Sequence, residues 1–396
     1  MGDAAPRSVF RICASAGLAL FCALCGWLTL RLALAPDPRD AEYRFRLWET
    51  RNGSAELETA LALNPRYTAA WIARGLAAEI EGDTKTAEAS LLRAAAMDHT
   101  YLPGWTLANF YLRAGDMPQF WNWARRAAGM AYDPAALFQL CWRASGDARE
   151  ILDRAIPPLP AARRAYLDFL LRTDRLEAAG PLVDDFCRTG EPIDVDRLLN
   201  YVDAWLARKQ AGPARKVWNA LAARRLIPYG GGALTNGDLS VAPLGRGFDW
   251  RPSRVEGAPI LFDRGLRQMS VALSGRQPER CDLVEQYVPL EPAAGYRFRF
   301  RYRTRELAAA TGLIWSVVDA RSGAELGSGV VPASPDGDRA QTLAFSVPAD
   351  CDLGRILLRY RRPVGRTRAE GTVVFSGFWL EKEGKARAFS RCCPQR

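Results

Sequence analysis

The chain changes its hydrophobic period once, around Pro228-Tyr229-Gly230-Gly231-Gly232, and no single packed layer accommodates both periods. Before this point alanine, leucine, arginine and glutamate fill amphipathic stretches at helical spacing. After it come short alternating segments separated by Gly, Pro, Asp and Ser, the texture of antiparallel strands. With 396 residues there is material for two or three folded units, and 48% apolar against 25% charged residues excludes long disorder and a polytopic membrane protein. The expected fold class is therefore multidomain α + β: a helical repeat domain over 41–228, an antiparallel β-sandwich over 233–383 and a tail over 384–396.

A third region precedes both. Ile12 to Leu30 is a run of 19 residues without charge, which as a helix rises roughly 28 Å, the thickness of a bilayer's hydrocarbon. Arg7 and Arg11 precede it, so the positive flank predicts a cytoplasmic stub over 1–11 and a transmembrane anchor over 12–35, with membrane contact through 12–30. The small-x-small Ala33-Leu34-Ala35 before Pro36 offers a cleaved secretory signal instead. Both readings export the remainder to an oxidising compartment. Cys13, Cys22 and Cys25 are small hydrophobes of the apolar run, and the six other cysteines permit disulfides, Cys281 with Cys351 being the expected pair in the sandwich.

In the helical half the breaks recur. Gly82-Asp83, Gly115-Asp116 and Gly146-Asp147 stand 33 and 31 residues apart, the period of a helical-hairpin repeat. Trp71, Gly75, Gly82, Ala87, Leu91 and Ala94 resemble tetratricopeptide repeats in spacing, with Trp105 following Trp71 by 34 residues and Asn64-Pro65 and Asp133-Pro134 closing units. The motif departs at Phe120, where a small residue belongs, and beyond Pro158 only the hairpin rhythm persists, in Ala161 to Cys187 and Val195 to Arg225. This resemblance implies a solenoid that binds proteins. Trp71 and Trp105 read as core, whereas Trp121 and Trp123, two apart, cannot share a helix face and are the candidate protein-binding residues.

In the second half, alternation predicts strands at Phe248 to Val255, Gln268 to Leu273, Leu283 to Leu290, Tyr296 to Thr304, Leu313 to Asp319, Ala340 to Val347, Arg355 to Arg361 and Thr372 to Leu380. Asn236-Gly237-Asp238, Gly247-Phe248-Asp249-Trp250, Gln286-Tyr287-Val288-Pro289 and the closing strand Val373 to Glu381 resemble jelly-roll carbohydrate-binding modules. Calcium-binding members carry an aspartate where Ser376-Gly377 stands, so no metal or other cofactor is expected. Trp250, Trp315 and Trp379 have the chemistry to stack on sugar rings, with Trp250 the chosen candidate.

The net charge of +10 is concentrated, +7 falling in 231–396. Between Gly295 and Thr304 the alternation places Tyr296, Phe298, Phe300 and Tyr302 on one strand face and Arg297, Arg299, Arg301 and Arg303 on the other, and Arg359 and Arg361 are spaced likewise later. Four like charges in a row repel unless acids or an anionic partner neutralise them, which makes these six arginines the candidate glycan- or anion-binding set.

Phosphate-loop, zinc-peptidase, nucleophile-elbow and dinucleotide glycine patterns are absent from the sequence, and a single histidine, His99, excludes a polyhistidine metal site. No catalytic residue is assigned. A glycan-active enzyme, glycosidase or lyase, is the alternative, needing two carboxylates from a set such as Asp249, Glu285 and Asp319. Nucleic acid is not an expected partner. The pairing of domains resembles bacterial envelope proteins accompanying exopolysaccharide or O-antigen assembly. That resemblance implies a non-catalytic scaffold at the inner membrane with periplasmic domains, meeting envelope proteins through its repeats and acidic polysaccharide through its sandwich.

Overall fold

The computed structural model of the protein describes residues 23–28, 39–51, 54–131, 133–227 and 233–383. Of the expected anchor only 23–28 falls among them, as a helical segment, and the stub 1–11 and tail 384–396 lie outside. No helix among the described residues is long and apolar enough to cross a membrane. The longest helices after residue 40 have 14 residues, about 21 Å of rise, and they are amphipathic. This overturns the transmembrane element of the expected fold class and, with it, the single-pass inner-membrane location. The chain divides into two compact units between Ala162 and Arg163.

The first unit is a succession of helices: α1 (Ala41–Arg51), α2 (Ser54–Leu63), α3 (Thr68–Ile80), α4 (Thr84–Met97), α5 (Tyr101–Ala114), α6 (Met117–Met130), α7 (Ala135–Ala144) and α8 (Ala148–Arg154). Each Gly-Asp break is a two-part device. Gly82, Gly115 and Gly146 take φ of +84°, +76° and +72°, ending one helix in the left-handed conformation. The following Asp83, Asp116 and Asp147 start the next, their carboxylates accepting from the amides of Thr86, Gln119 and Arg149 at 3.1, 3.0 and 2.8 Å. α3 and α4 close tightly because Gly75 lies under Leu91, where a Cβ would stand 2.7 Å from its side chain and 3.2 Å from the Ala87 carbonyl. Gly75→Val is expected to overpack this seam and lower stability by about 1–3 kcal/mol, read as a fall in the urea midpoint; an unchanged midpoint would show that the seam tolerates a larger residue.

The second unit opens with α9 (Pro160–Arg172, starting just before the division), α10 (Leu176–Thr189), a 3₁₀ turn at Pro192–Asp194, α11 (Val195–Ala207) and α12 (Ala211–Ala223). It continues with β1 (Arg251–Pro252), β2 (Ile260–Asp263), β3 (Gln268–Ser274), β4 (Arg280–Pro289), β5 (Gly295–Arg305), β6 (Leu313–Asp319), β7 (Glu325–Val330), β8 (Arg339–Ser346), β9 (Leu353–Arg361) and β10 (Glu370–Lys382). Two antiparallel five-stranded sheets form, β1-β4-β9-β6-β7 and β2-β3-β10-β5-β8. The eight strands from β3 onward follow the jelly-roll order, with β1 and β2 added at the edges. Their inner faces meet in one core around Trp250, Trp315, Phe298, Phe300, Phe375 and Phe378.

Two helices are sealed to this sandwich. Asp203 of α11 accepts from Arg246 Nε (3.0 Å), the Gly247 amide (2.8 Å) and Arg251 Nη2 (2.7 Å). Trp218 of α12, 2% exposed, sits on Gly247 and meets Phe248 edge-on at 5.8 Å. Lys209 Nζ lies 3.2 Å from the Tyr287 hydroxyl. The expected joint at 228–232 lies outside the described residues, and the helices on its N-terminal side belong to the same compact unit as the sandwich.

The expected disulfide does not form, since Cys281 and Cys351 are both free thiols. On the β4–β9 ladder Cys281 stands opposite Tyr360, while Leu353, two residues past Cys351, stands opposite Pro289. The two thus lie at opposite ends of the ladder, about 25 Å apart at ~3.3 Å per residue and far beyond a disulfide's reach. Burial instead pushes the Cys351 thiol up to about 11, away from thiolate chemistry.

Candidate functional site

β5 alternates as its residues demand. Tyr296, Phe298, Phe300 and Tyr302 are all at most 4% exposed and line the core, leaving Arg297, Arg299, Arg301, Arg303 and Arg305 on the outer face. β10 lies beside this row with Glu381 opposite Arg297, Trp379 opposite Arg299, Gly377 opposite Arg301, Val374 opposite Arg303 and Thr372 opposite Arg305. A bulge at Ser376 shifts the register between Phe375 and Gly377.

The row is half balanced. Arg297 Nε lies 2.8 Å from Glu383 and Arg299 Nη2 lies 3.7 Å from Glu381, both pairs exposed and worth at most about 1 kcal/mol each. Arg301, Arg303 and Arg305 have no carboxylate partner among the described residues. Arg303 Nε and the Ser376 hydroxyl are buried without any hydrogen-bond partner. Beside them the half-buried Trp379 indole lies along the strand over Gly377, where a Cβ would stand 2.7 Å from the ring. The Arg299 and Arg301 guanidiniums border that ring, 5.1 and 5.9 Å from its centroid. The result is an aromatic platform beside a run of guanidiniums without ion pairs on one sheet face.

The other sequence-derived candidates lie elsewhere. Trp250 is 0% exposed, donating from Nε1 to the Asn236 carbonyl at 3.1 Å, and Trp315 is likewise in the core, so neither has a face open to a sugar. Arg359 and Arg361 are on β9, in the opposite sheet from β5. In the first unit Trp121 is buried at 4% against Phe120, while Trp123 is half-buried with Arg126 over its ring at 4.6 Å. Asp249 is fully buried and accepts from the Leu244 and Trp250 amides at 2.6 and 2.8 Å. Glu285 pairs with Arg355 at 3.3 Å. Asp319 caps the β6–β7 turn; burial pushes its carboxyl up, but bonds from Ser322 and the Arg321 amide outweigh this and hold it below the usual range. All three carboxylates are thus engaged in local structure. No cluster of three metal-ligating side chains occurs among the described residues.

No family model and no curated protein matches the chain. Solved structures match parts of it. A CBM4 structure aligns over 34% of this chain and 88% of its own at 11% identity, TM-score 0.27. The carbohydrate binding module CBM6cm-2 from Cellvibrio mixtus lichenase 5A, in complex with cellotriose, aligns over 34% and 92% at 11% identity, TM-score 0.21. PilW, a type IV pilus biogenesis factor, aligns over 47% and 90% at 17% identity, TM-score 0.24. These are partial likenesses of low score, to sandwich modules on one side and a pilus biogenesis factor on the other.

Proposed function

We propose that the chain is a non-catalytic adaptor that holds an acidic polysaccharide on the outer face of β5 and β10 and docks proteins through its helical hairpins. The observation that carries this reading is the Trp379 indole, laid on Gly377 and bordered by Arg299 and Arg301, next to guanidiniums that no carboxylate among the described residues neutralises. A sugar ring offers a C–H face to the indole, and its carboxylates offer bidentate partners to Arg301 and Arg303. The sequence resemblance to exopolysaccharide and O-antigen assembly proteins implies a setting in which such polymers occur.

Affinity electrophoresis of the full chain in polygalacturonate, with neutral dextran as control, tests it. Retention is expected in polygalacturonate only and is expected to disappear in about 1 M salt, where screening acts within ~3 Å. Trp379→Ala should weaken retention about tenfold, ~1.4 kcal/mol. Arg301→Glu with Arg303→Glu should abolish it while the unfolding midpoint changes little, because both guanidiniums lie on the outer face. Unaltered retention in the folded double variant would leave the arginines as solvated surface.

A further inference from the structure

The opposite sheet carries a second basic feature that the acidic-polysaccharide reading does not use. The β4–β9 register sets Asp282 opposite Arg359 and, at the ladder's end, Arg280 opposite Arg361. Arg359 Nε and Asp282 Oδ1 form an ion pair at 3.2 Å. The Arg280–Arg361 pair instead sets two like charges directly across from one another, an arrangement that costs stability when nothing neutralises it. Neither guanidinium has an ion pair or hydrogen bond among the described residues. Of the nearby acids, Glu279 holds Arg362 Nε at 3.2 Å, and Glu325 accepts from the Ser328 hydroxyl at 2.6 Å without an ion pair to either guanidinium.

Arg280, Asp282, Glu325, Arg359 and Arg361 line a groove of about 270 Å³ together with Ile314, Ser316 and Ser328. Ser316 is 1% exposed and stands opposite Ser328 on the β6–β7 ladder. The groove therefore holds two guanidiniums without ion-pair partners among the described residues, a third paired to Asp282, and the Glu325 carboxylate. With Asp282 paired to Arg359 and one carboxylate, Glu325, set against Arg280 and Arg361, the groove keeps a net positive charge, and its two facing guanidinium forks suit a phosphoryl group, which carries about −1.5 to −2 at pH 7 and three acceptor oxygens. We propose that this groove binds a phosphate dianion, free or borne as a monoester, between Arg280 and Arg361.

The test titrates the full chain with inorganic phosphate and with glucose 6-phosphate by calorimetry, alongside thermal unfolding in phosphate and in chloride at equal ionic strength. Phosphate is expected to bind and to raise the unfolding temperature above that in chloride. Binding should strengthen as pH rises through about 6, where the second phosphate proton leaves. Arg361→Gln and Arg280→Gln should each weaken binding at least about tenfold, yet unfold in chloride no earlier than the parent, because each removes the facing charge. Trp379→Ala should bind phosphate as the parent does, which separates this groove from the β5–β10 face. Binding of glucose 6-phosphate as well as inorganic phosphate would identify a sugar-borne ester as a source, and binding of inorganic phosphate alone would identify the free anion. Equal unfolding temperatures in phosphate and chloride with no calorimetric signal, or unchanged phosphate binding in both variants, would overturn the proposal.

Discussion

Replacing Trp218 with alanine is expected to lower the stability of the whole second unit by about 3–5 kcal/mol, the cost of emptying a large buried aromatic site. The indole is 2% exposed, seated on Gly247 and packed edge-on against Phe248, so its loss opens a cavity between α12 and the start of the sandwich. Because Asp203 ties α11 to Arg246, Gly247 and Arg251 in the same region, helix and sheet should unfold together. Amide hydrogen exchange of α11, α12 and the sandwich strands in rising urea should therefore lose protection together in the parent, and together at lower urea in the variant. A variant whose strands keep the parent's protection would show that helices and sandwich melt separately.

Removing Asp194 is the second large effect. This carboxylate, 1% exposed, receives Arg164 Nε at 2.6 Å and the Glu191 amide at 2.8 Å, and it pins the 3₁₀ turn between α10 and α11. Asp194→Ala removes the buried carboxylate from Arg164, which keeps Glu191 Oε2 at 2.8 Å from its Nη2, and leaves the Glu191 amide without its acceptor, an expected cost of about 2–3 kcal/mol. Burial pushes the Asp194 carboxyl up, but the bonds from Arg164 and the Glu191 amide and the Arg164 charge outweigh it, so the group sits below its ordinary value. A depressed carboxyl stabilises the fold fully above the ordinary carboxylate range and loses that contribution as pH falls through its folded value. The parent's unfolding temperature should accordingly drop on acidification below about pH 4, and the Asp194→Ala profile should be flatter there. Parallel profiles would show that Asp194 does not contribute to acid lability.

Local signals in the sequence translated well where one residue type has one local task. The Gly-Asp breaks are left-handed caps followed by N-caps, and strict alternation from Tyr296 to Tyr302 places β5 within a residue of its observed ends. The expected strand at Phe248 to Val255 shrinks to Arg251–Pro252, because Gly245 and Gly247 turn the chain with positive φ and Pro252 lacks a ladder donor. β2 is a four-residue edge strand, and β7, Glu-Leu-Gly-Ser-Gly-Val, has no apolar alternation to read. The site was half legible. Arg359 and Arg361 carry the same spacing as the β5 arginines, yet which sheet a strand joins is decided by topology over the whole domain. Trp250 and Trp379 look alike as residues, and only the packing shows that the first is enclosed and the second borders the arginines. Asp203 gave no signal, its partners lying 43 to 48 residues downstream.

The single extra residue at Ser376 makes the last strand a matter of parity. Val373 and Phe375 face the core at odd positions, whereas Phe378 faces it at an even one, so the two ends of β10 are out of step by one count. Counting straight through, without that step, would turn Trp379 and Glu381 inward and present Phe378 and Leu380 to water. Deleting one residue between Phe375 and Phe378 would set the two an even number apart, so unbroken alternation would keep Phe378 inside and Trp379 beside Arg299 with no bulge at all. With the odd spacing that Ser376 creates, the identity of this face rests on the ladder setting one residue aside as much as on which residues they are.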